Sequence, residues 1–222
     1  MKKLLLLLCC SLFSLNISAQ NSAKDQLGSW YMYNGSHKLS EKFALKTMAH
    51  YRYFELTNEF QQSIYRLGIN YKLNSKINFT AGISYADTDT EYQSPSDLLT
   101  EFRLYEDINV TYKLANLKLK HRFRFEHRFM KKNNLETTES WLRYDINASY
   151  PISKNWNIYA FNEVFFNFKG DLIAQNWTGA GFLYTLNKSV TFKTGYFYQK
   201  FPTVGFNRLQ LGVVLNTNHT KK

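Results

Sequence analysis

The stretch Lys118-Leu119-Lys120-His121-Arg122-Phe123-Arg124-Phe125-Glu126-His127-Arg128-Phe129 decides the fold. Its even positions carry Lys, Lys, Arg, Arg, Glu and Arg, and its odd positions carry leucine, phenylalanine and two histidines. A period of two belongs to a β-strand, where successive side chains point to opposite faces. Taken as a linear run of charge, the stretch would suggest a heparin or nucleic-acid patch. The interleaved Leu119, Phe123, Phe125 and Phe129 exclude that, because they form the other, apolar face of the same strand. The strand is also long, roughly twice the 5–6 residues usual in soluble sheets.

The same alternation governs the chain on both sides. Segment 64–73 sets Tyr65, Leu67, Ile69, Tyr71 and Leu73 against Arg66, Asn70 and Lys72, and 77–85 sets Ile77, Phe79, Ala81, Ile83 and Tyr85 against small polar residues. Segment 102–114 puts Phe102, Leu104, Ile108, Val110, Tyr112 and Leu114 on one face, interrupted by Glu106, with Glu101, Arg103, Asp107, Asn109 and Lys113 on the other. Segments 117–129, 140–152, 156–168, 177–186, 190–199 and 207–215 follow suit. A pattern of Tyr, any residue, Leu or Ile and then a small residue or Asn recurs at Tyr71–Asn74, Tyr112–Ala115, Tyr150–Ser153 and Tyr184–Asn187, each followed by a short turn. Looser versions occur at His37–Ser40 and Val213–Asn216. Longer polar connections occupy 54–60, 86–100, 130–139, 169–176 and 200–206. Short turns at one end and longer loops at the other are the signature of an outer-membrane barrel with periplasmic turns.

The expectation is therefore an all-β, antiparallel transmembrane β-barrel. The repeated tyrosines and Trp156 would form one interfacial girdle, and Tyr53, Tyr85, Phe102, Phe129, Phe168 and Tyr198 the other. Pro95, Pro151 and Pro202 fall in loops or at a turn, as strand pairing demands. Six segments end in the turn pattern, counting 29–39 and 207–216, and five run the opposite way: 41–53, 76–86, 116–129, 155–168 and 189–200. Bacterial single-chain barrels are normally even-stranded. The count is accordingly 10–12, with twelve preferred: either 29–39 is not a wall strand and the barrel has ten, or residues 20–28 supply a stunted twelfth strand or thread the interior.

The N-terminus is an address. Lys2 and Lys3 precede an apolar run from Leu4 to Leu15 and a small-residue exit at Ile17-Ser18-Ala19, so residues 1–19 read as a secretory signal peptide and 20–222 as a single barrel domain. Leu8 before Cys9 is not the small residue a lipoprotein signal needs. Both cysteines, Cys9 and Cys10, leave with the leader, so the mature chain has no disulfide framework and no thiolate site. The full chain carries 28 basic and 17 acidic residues. Loss of two lysines leaves 26 against 17, a mature excess of +9. Export makes nucleic acid an unfit partner; membrane lipid and lipopolysaccharide are the expected ones, with small anionic solutes as candidates.

Parity assigns that excess to the interior. Lys46, Arg52, Arg66, Lys72, Arg103, Lys113, Lys118, Lys120, Arg122, Arg124, Arg128, Arg143, Lys193 and Arg208 point inward, against Glu101, Asp107, Glu126, Asp145 and Glu163. Two readings stand. In one, the arginines pair with the carboxylates and fill a closed, structural lumen. In the other, the surplus cations line a wet, anion-preferring channel or facilitator, as basic rings do at constrictions.

The ladder Arg122-x-Arg124-x-Glu126-x-Arg128, with Gly28-Ser29-Trp30, Arg143-Tyr144 and Asn162-Glu163, resembles an uncharacterised family of predicted bacterial outer-membrane β-barrels classed as a domain of unknown function. The resemblance spans roughly residues 25–216 and implies location and fold, with no activity attached. Where that family places an arginine after a late asparagine, this chain has Asn176-Trp177, and no role is carried to that position.

An enzymatic reading needs a nucleophile. Lipid hydrolases and acyltransferases of outer membranes use a Ser–His pair facing lipid; no His-x-Ser or His-x-Thr occurs here. The nearest substitute is cross-strand, His127 with Ser140, oriented by Glu139 or Glu106. The competing reading is an interfacial histidine among aromatics. His37, His50, His121, His127 and His219 lack metal-ligand spacing, and the acidic loop Asp87-Thr-Asp89-Thr-Glu91 lacks the glycine and downstream Glu of a calcium loop. No metal or cofactor is expected. Gly179 and Gly181 are read as relieving crowding beside Arg or Trp.

Overall fold

The computed structural model describes residues 22–94 and 96–220; the leader read over 1–19 lies outside them. A 3-10 turn, Ala23–Asp25, leads into eleven strands: β1 (Leu27–Lys38), β2 (Phe43–Tyr53), β3 (Phe60–Lys72), β4 (Ile77–Thr88), β5 (Leu99–Leu114), β6 (Leu117–Lys132), β7 (Leu135–Pro151), β8 (Trp156–Asn167), β9 (Ile173–Thr185), β10 (Val190–Lys200) and β11 (Gly205–Asn218). Each strand pairs antiparallel with its sequence neighbours, and β1 closes the barrel by pairing parallel with β11 from Leu27↔Asn207 to Lys38↔Asn218. No described helix is long and apolar enough to cross a membrane, which says nothing of crossing by strands.

The count of twelve is thus corrected to eleven. An odd number makes the first and last strands run the same way, so closure must be parallel. Slanted parallel hydrogen bonds satisfy both edges, and no further strand is needed. Residues 27–28 belong to β1 itself, so 29–39 is a wall strand and no described residue threads the interior.

The turns explain the repeat. In Tyr71–Asn74 and Tyr184–Asn187 the final asparagine accepts the backbone N–H groups of the turn: Asn74 from Lys76 and Ile77, Asn187 from Ser189 and Val190. Ser40 accepts from Phe43 in the same role. These short side chains hydrogen-bond backbone two or three residues on, which is what a tight turn requires. The tyrosine three residues earlier then falls at a fixed height on the outer wall.

The expected loop 130–139 is also corrected. It is a two-residue hairpin in which Asn133 has φ +56°, and β6 and β7 continue to Lys132 and Leu135. Asparagine tolerates that left-handed conformation. The polar residues on either side mark strands that extend beyond the rest of the barrel.

Parity is kept all round. Leu67, Ile83, Ile108 and Tyr196 stand on the outer wall, 45–49% exposed. Trp30, Phe197, Tyr105 and Glu126 stand on the inner side, at most 3% exposed. The core of the molecule is therefore the inside of the barrel, and its apolar surface is the outside.

Candidate functional site

Because the register is continuous, the polar row of each strand meets that of the next. Arg103 lies opposite Arg128, Arg124 opposite Arg143, Arg122 opposite Asp145, and Lys113 opposite Lys118. Like charges directly across a ladder repel, so acids must stand between them. Glu101 sits between the first pair: it accepts from Arg128 Nη2 at 2.5 Å and pairs with Arg103. Glu126 sits between the second pair. Its carboxylate, 1% exposed, lies 3.0 Å from Arg143, 3.6 Å from Arg124, 3.7 Å from Arg66 and 3.9 Å from Arg103. Glu163 holds Arg122 at 2.7 Å and Arg143 at 2.8 Å, and Asp107 takes Arg124 in a two-pronged contact at 2.6 and 2.8 Å. Planar guanidinium forks suit such shared, bidentate contacts.

Sequence reasoning counted Glu126 among the interior acids without seeing that it is the hub. It also expected Asp145 to pair with the arginines. Asp145 lies opposite Arg122 and Glu163 in register yet makes no ion pair among the described residues. Arg122 turns to Glu163 instead.

The largest omission is aromatic. Trp30, Trp141, Phe165, Trp177 and Phe197 occupy inward positions and form the buried apolar cluster of the interior. Trp30 meets Trp177 and Phe197 edge-on at 5.0 and 4.6 Å. Unpaired guanidinium groups stack on this layer: Arg52 lies 3.5 Å over Trp30, while Arg208, 0% exposed, lies over Phe206 and hydrogen-bonds Gln199. Arg128 and Arg143 use Trp141 and Phe165 at 4.1 and 4.2 Å. Cation–π contact compensates part of a buried charge without a carboxylate. The signal was available, since these rings share the parity of Arg143, Glu163 and Lys193.

Loops cover this end of the barrel. Phe54, in the β2–β3 loop, is buried; its carbonyl accepts from Arg208, and its ring packs on Tyr92 of the β4–β5 loop. Tyr92 donates to the Glu55 carboxylate at 2.6 Å, which raises its phenol to about 12 by favouring the protonated form. Asp89, in the acidic loop, accepts from Ser96 and from the Glu91 backbone. At the opposite end, Lys38 lies 2.6 Å from Glu41 in the β1–β2 turn and holds that carboxyl below its usual range.

The turn half of the interior is different. Lys46, Lys72, Lys113, Lys118, Lys120 and Lys193 all point inward there, and none lies within 4 Å of a carboxylate among the described residues. Lys72, Lys113, Lys118 and Lys120 are exposed. Every ladder arginine is committed to an acid, while none of these lysines is paired with a carboxylate among the described residues.

On the outer wall, Ser140 lies opposite His127, with its hydroxyl 3.3 Å from Nδ1, as the cross-strand reading expected. No acid among the described residues orients the imidazole. Glu139 is on the inner side, accepting from Trp141 Nε1 at 2.6 Å, because residues adjacent in a strand face opposite ways. Glu106 is outward, opposite Phe125, and makes no hydrogen bond to His127. Gly179 and Gly181 relieve crowding, but by Phe197 and Tyr159 rather than Arg or Trp. A Cβ on Gly179 would lie 2.3 Å from that of Phe197, and one on Gly181 would lie 2.8 Å from the Tyr159 hydroxyl.

Fold and interior together define an eleven-stranded β-barrel, closed by a parallel seam and filled at one end by an arginine–carboxylate–aromatic layer. The chain belongs to the family described as Protein of unknown function (DUF2490), which matches residues 27–210. No curated protein matches the chain.

Proposed function

We propose that the protein is an integral outer-membrane barrel, exported by the leader over residues 1–19, whose interior is closed to the passage of solutes from one mouth to the other. It is a barrel shut by its own ion network rather than a channel. The outer wall supports the membrane placement. Large apolar side chains stand exposed all around it, far beyond the few hundred Å² that water-soluble monomers leave uncovered. The aromatic belts at its two ends suit headgroup depth, with lipid and lipopolysaccharide as the partners of that wall. Short turns face the periplasm and the longer loops the exterior.

The observation that carries the closure is Glu126, 1% exposed at the centre of four arginines and in a layer with Trp30, Trp177 and Phe197. A conducting path for anions would have to pass Arg122 and Arg124, whose guanidinium groups are already bound to Glu163 and Asp107. Planar-bilayer recording across a salt gradient tests this. The expected result is no unitary conductance. Anion-selective steps that weaken or reverse in Arg122→Glu/Arg124→Glu would establish the small anion channel instead.

The Ser140–His127 contact favours a second, lipid-hydrolysing reading. It lacks an orienting acid among the described residues, which makes it the weaker of the two.

A further inference from the structure

We propose that the turn half of the interior is a binding cup for a soluble phosphate-bearing anion that enters from the short-turn end. The proposal rests on the sealed-barrel reading above, which makes the cup blind at its far end.

Lys46, Lys120 and Lys193 stand on β2, β6 and β10, spaced almost evenly around the eleven-stranded wall. Each lies two inward positions further along its strand, toward the turns, than the last buried charged or aromatic group there: Lys120 from Arg124, Lys193 from Phe197, and Lys46 from His50. The three amines therefore ring the space immediately above the closed layer. Their partners are neutral. Lys46 donates to Ser36 Oγ at 2.7 Å, Lys193 lies 4.7 Å over the Tyr159 ring, and Lys120 has no hydrogen-bond partner among the described residues. Of Glu101, Asp107, Glu126, Asp145 and Glu163, Asp145 alone is left unpaired by the arginine network among the described residues. It cannot balance these amines and the Lys113↔Lys118 pair at the mouth.

Barrels of eight strands are filled by their own side chains, and those of sixteen or more hold an aqueous channel. Eleven strands leave room for a small ligand above a filled floor, and Lys120 is exposed although it points inward. The division of labour specifies the ligand. The arginine forks are used up on carboxylates, and what remains is a set of rotatable point charges. Such groups bind phosphate as point charges, and several of them together favour an anion that carries more than one negative charge.

The test uses the full mature chain folded in dodecyl maltoside and inorganic pyrophosphate as probe, with binding read by titration calorimetry at low salt. Expected is saturable binding that weakens at least tenfold in Lys120→Ala/Lys193→Ala and is unchanged in Lys131→Ala, whose amine pairs with Glu136 at the loop end. Heat-modifiable migration on gels keeps the variants honest as folded barrels. No saturable binding by the unsubstituted protein, or equal binding by the double variant, overturns the cup. Failure of the sealed-barrel reading would show separately, as bilayer current, whether or not pyrophosphate binds.

Discussion

Replacing Glu126 by glutamine keeps the shape of the side chain and removes one negative charge from the middle of the arginine layer. Four guanidinium groups lie within 4 Å of that carboxylate, but their dependence on it is unequal. Arg103 keeps Glu101, Arg124 keeps Asp107, and Arg143 keeps Glu163. Only Arg66 loses its sole carboxylate, left with Tyr105 at 4.9 Å and Met48 Sδ at 3.7 Å. Breaking a buried ion pair from one side costs about 3–5 kcal/mol, because the surviving charge stays desolvated. With one arginine stranded and three retained, Glu126→Gln should destabilise the barrel by about 3 kcal/mol. The measurement is urea unfolding in lipid vesicles followed by tryptophan fluorescence; Trp30, Trp141 and Trp177 lie in the inner layer and report on it directly. The double variant Glu126→Gln/Arg66→Met should recover much of the loss, since removing both partners of a buried pair is often nearly neutral. A Glu126→Gln barrel as stable as the original within about 0.5 kcal/mol, the scatter of ordinary surface changes, would refute the claim that this carboxylate locks the interior.

Gly181→Ala places a methyl group against the Thr194 carbonyl and the Tyr159 hydroxyl and should cost about 1–3 kcal/mol in the same unfolding assay. Glu55→Gln removes the carboxylate that holds the Tyr92 phenol protonated, so its titration should fall from about 12 toward that of ordinary tyrosine. NMR of ¹³C-labelled tyrosine would show it, and an unmoved Tyr92 would mean the loop contact does not form in solution. Ser140→Ala should leave phospholipid and lipid A acyl chains as untouched as the unsubstituted protein does; hydrolysis that vanishes with the substitution would revive the enzymatic reading.

Parity was the most legible property of this chain. Of the cations assigned inward, Arg103, Arg124, Arg143 and Arg208 are buried, and the alternation that placed them is strict, because one slip of register would turn a whole strand inside out. The strand number was not legible. The alternation of β1 is visible, but parallel pairing with β11 leaves no mark in either sequence, and the even-number expectation argued against it. The inner aromatic layer was hidden by its composition: Trp141, Phe165 and Trp177 share residue type with the outer wall, and only their position beside Arg143 and Glu163 separates them. Glu139 was misplaced for want of the same check, since Ser140 next to it is outward and a strand cannot turn both to one side. The hub role of Glu126 depends on arginines from β3, β5, β6 and β7 converging, a long-range fact that no single strand contains.

The parallel seam has a topological consequence. With an odd number of strands, Ser22 and Thr220 lie at opposite mouths of the barrel. An even barrel returns its chain to the mouth it started from; this one carries its chain from one mouth to the other. In a sealed membrane, an epitope placed just before Leu27 and one placed just after Asn218 should be labelled from different compartments. The polypeptide itself would then give the barrel a direction, independent of any charge inside it.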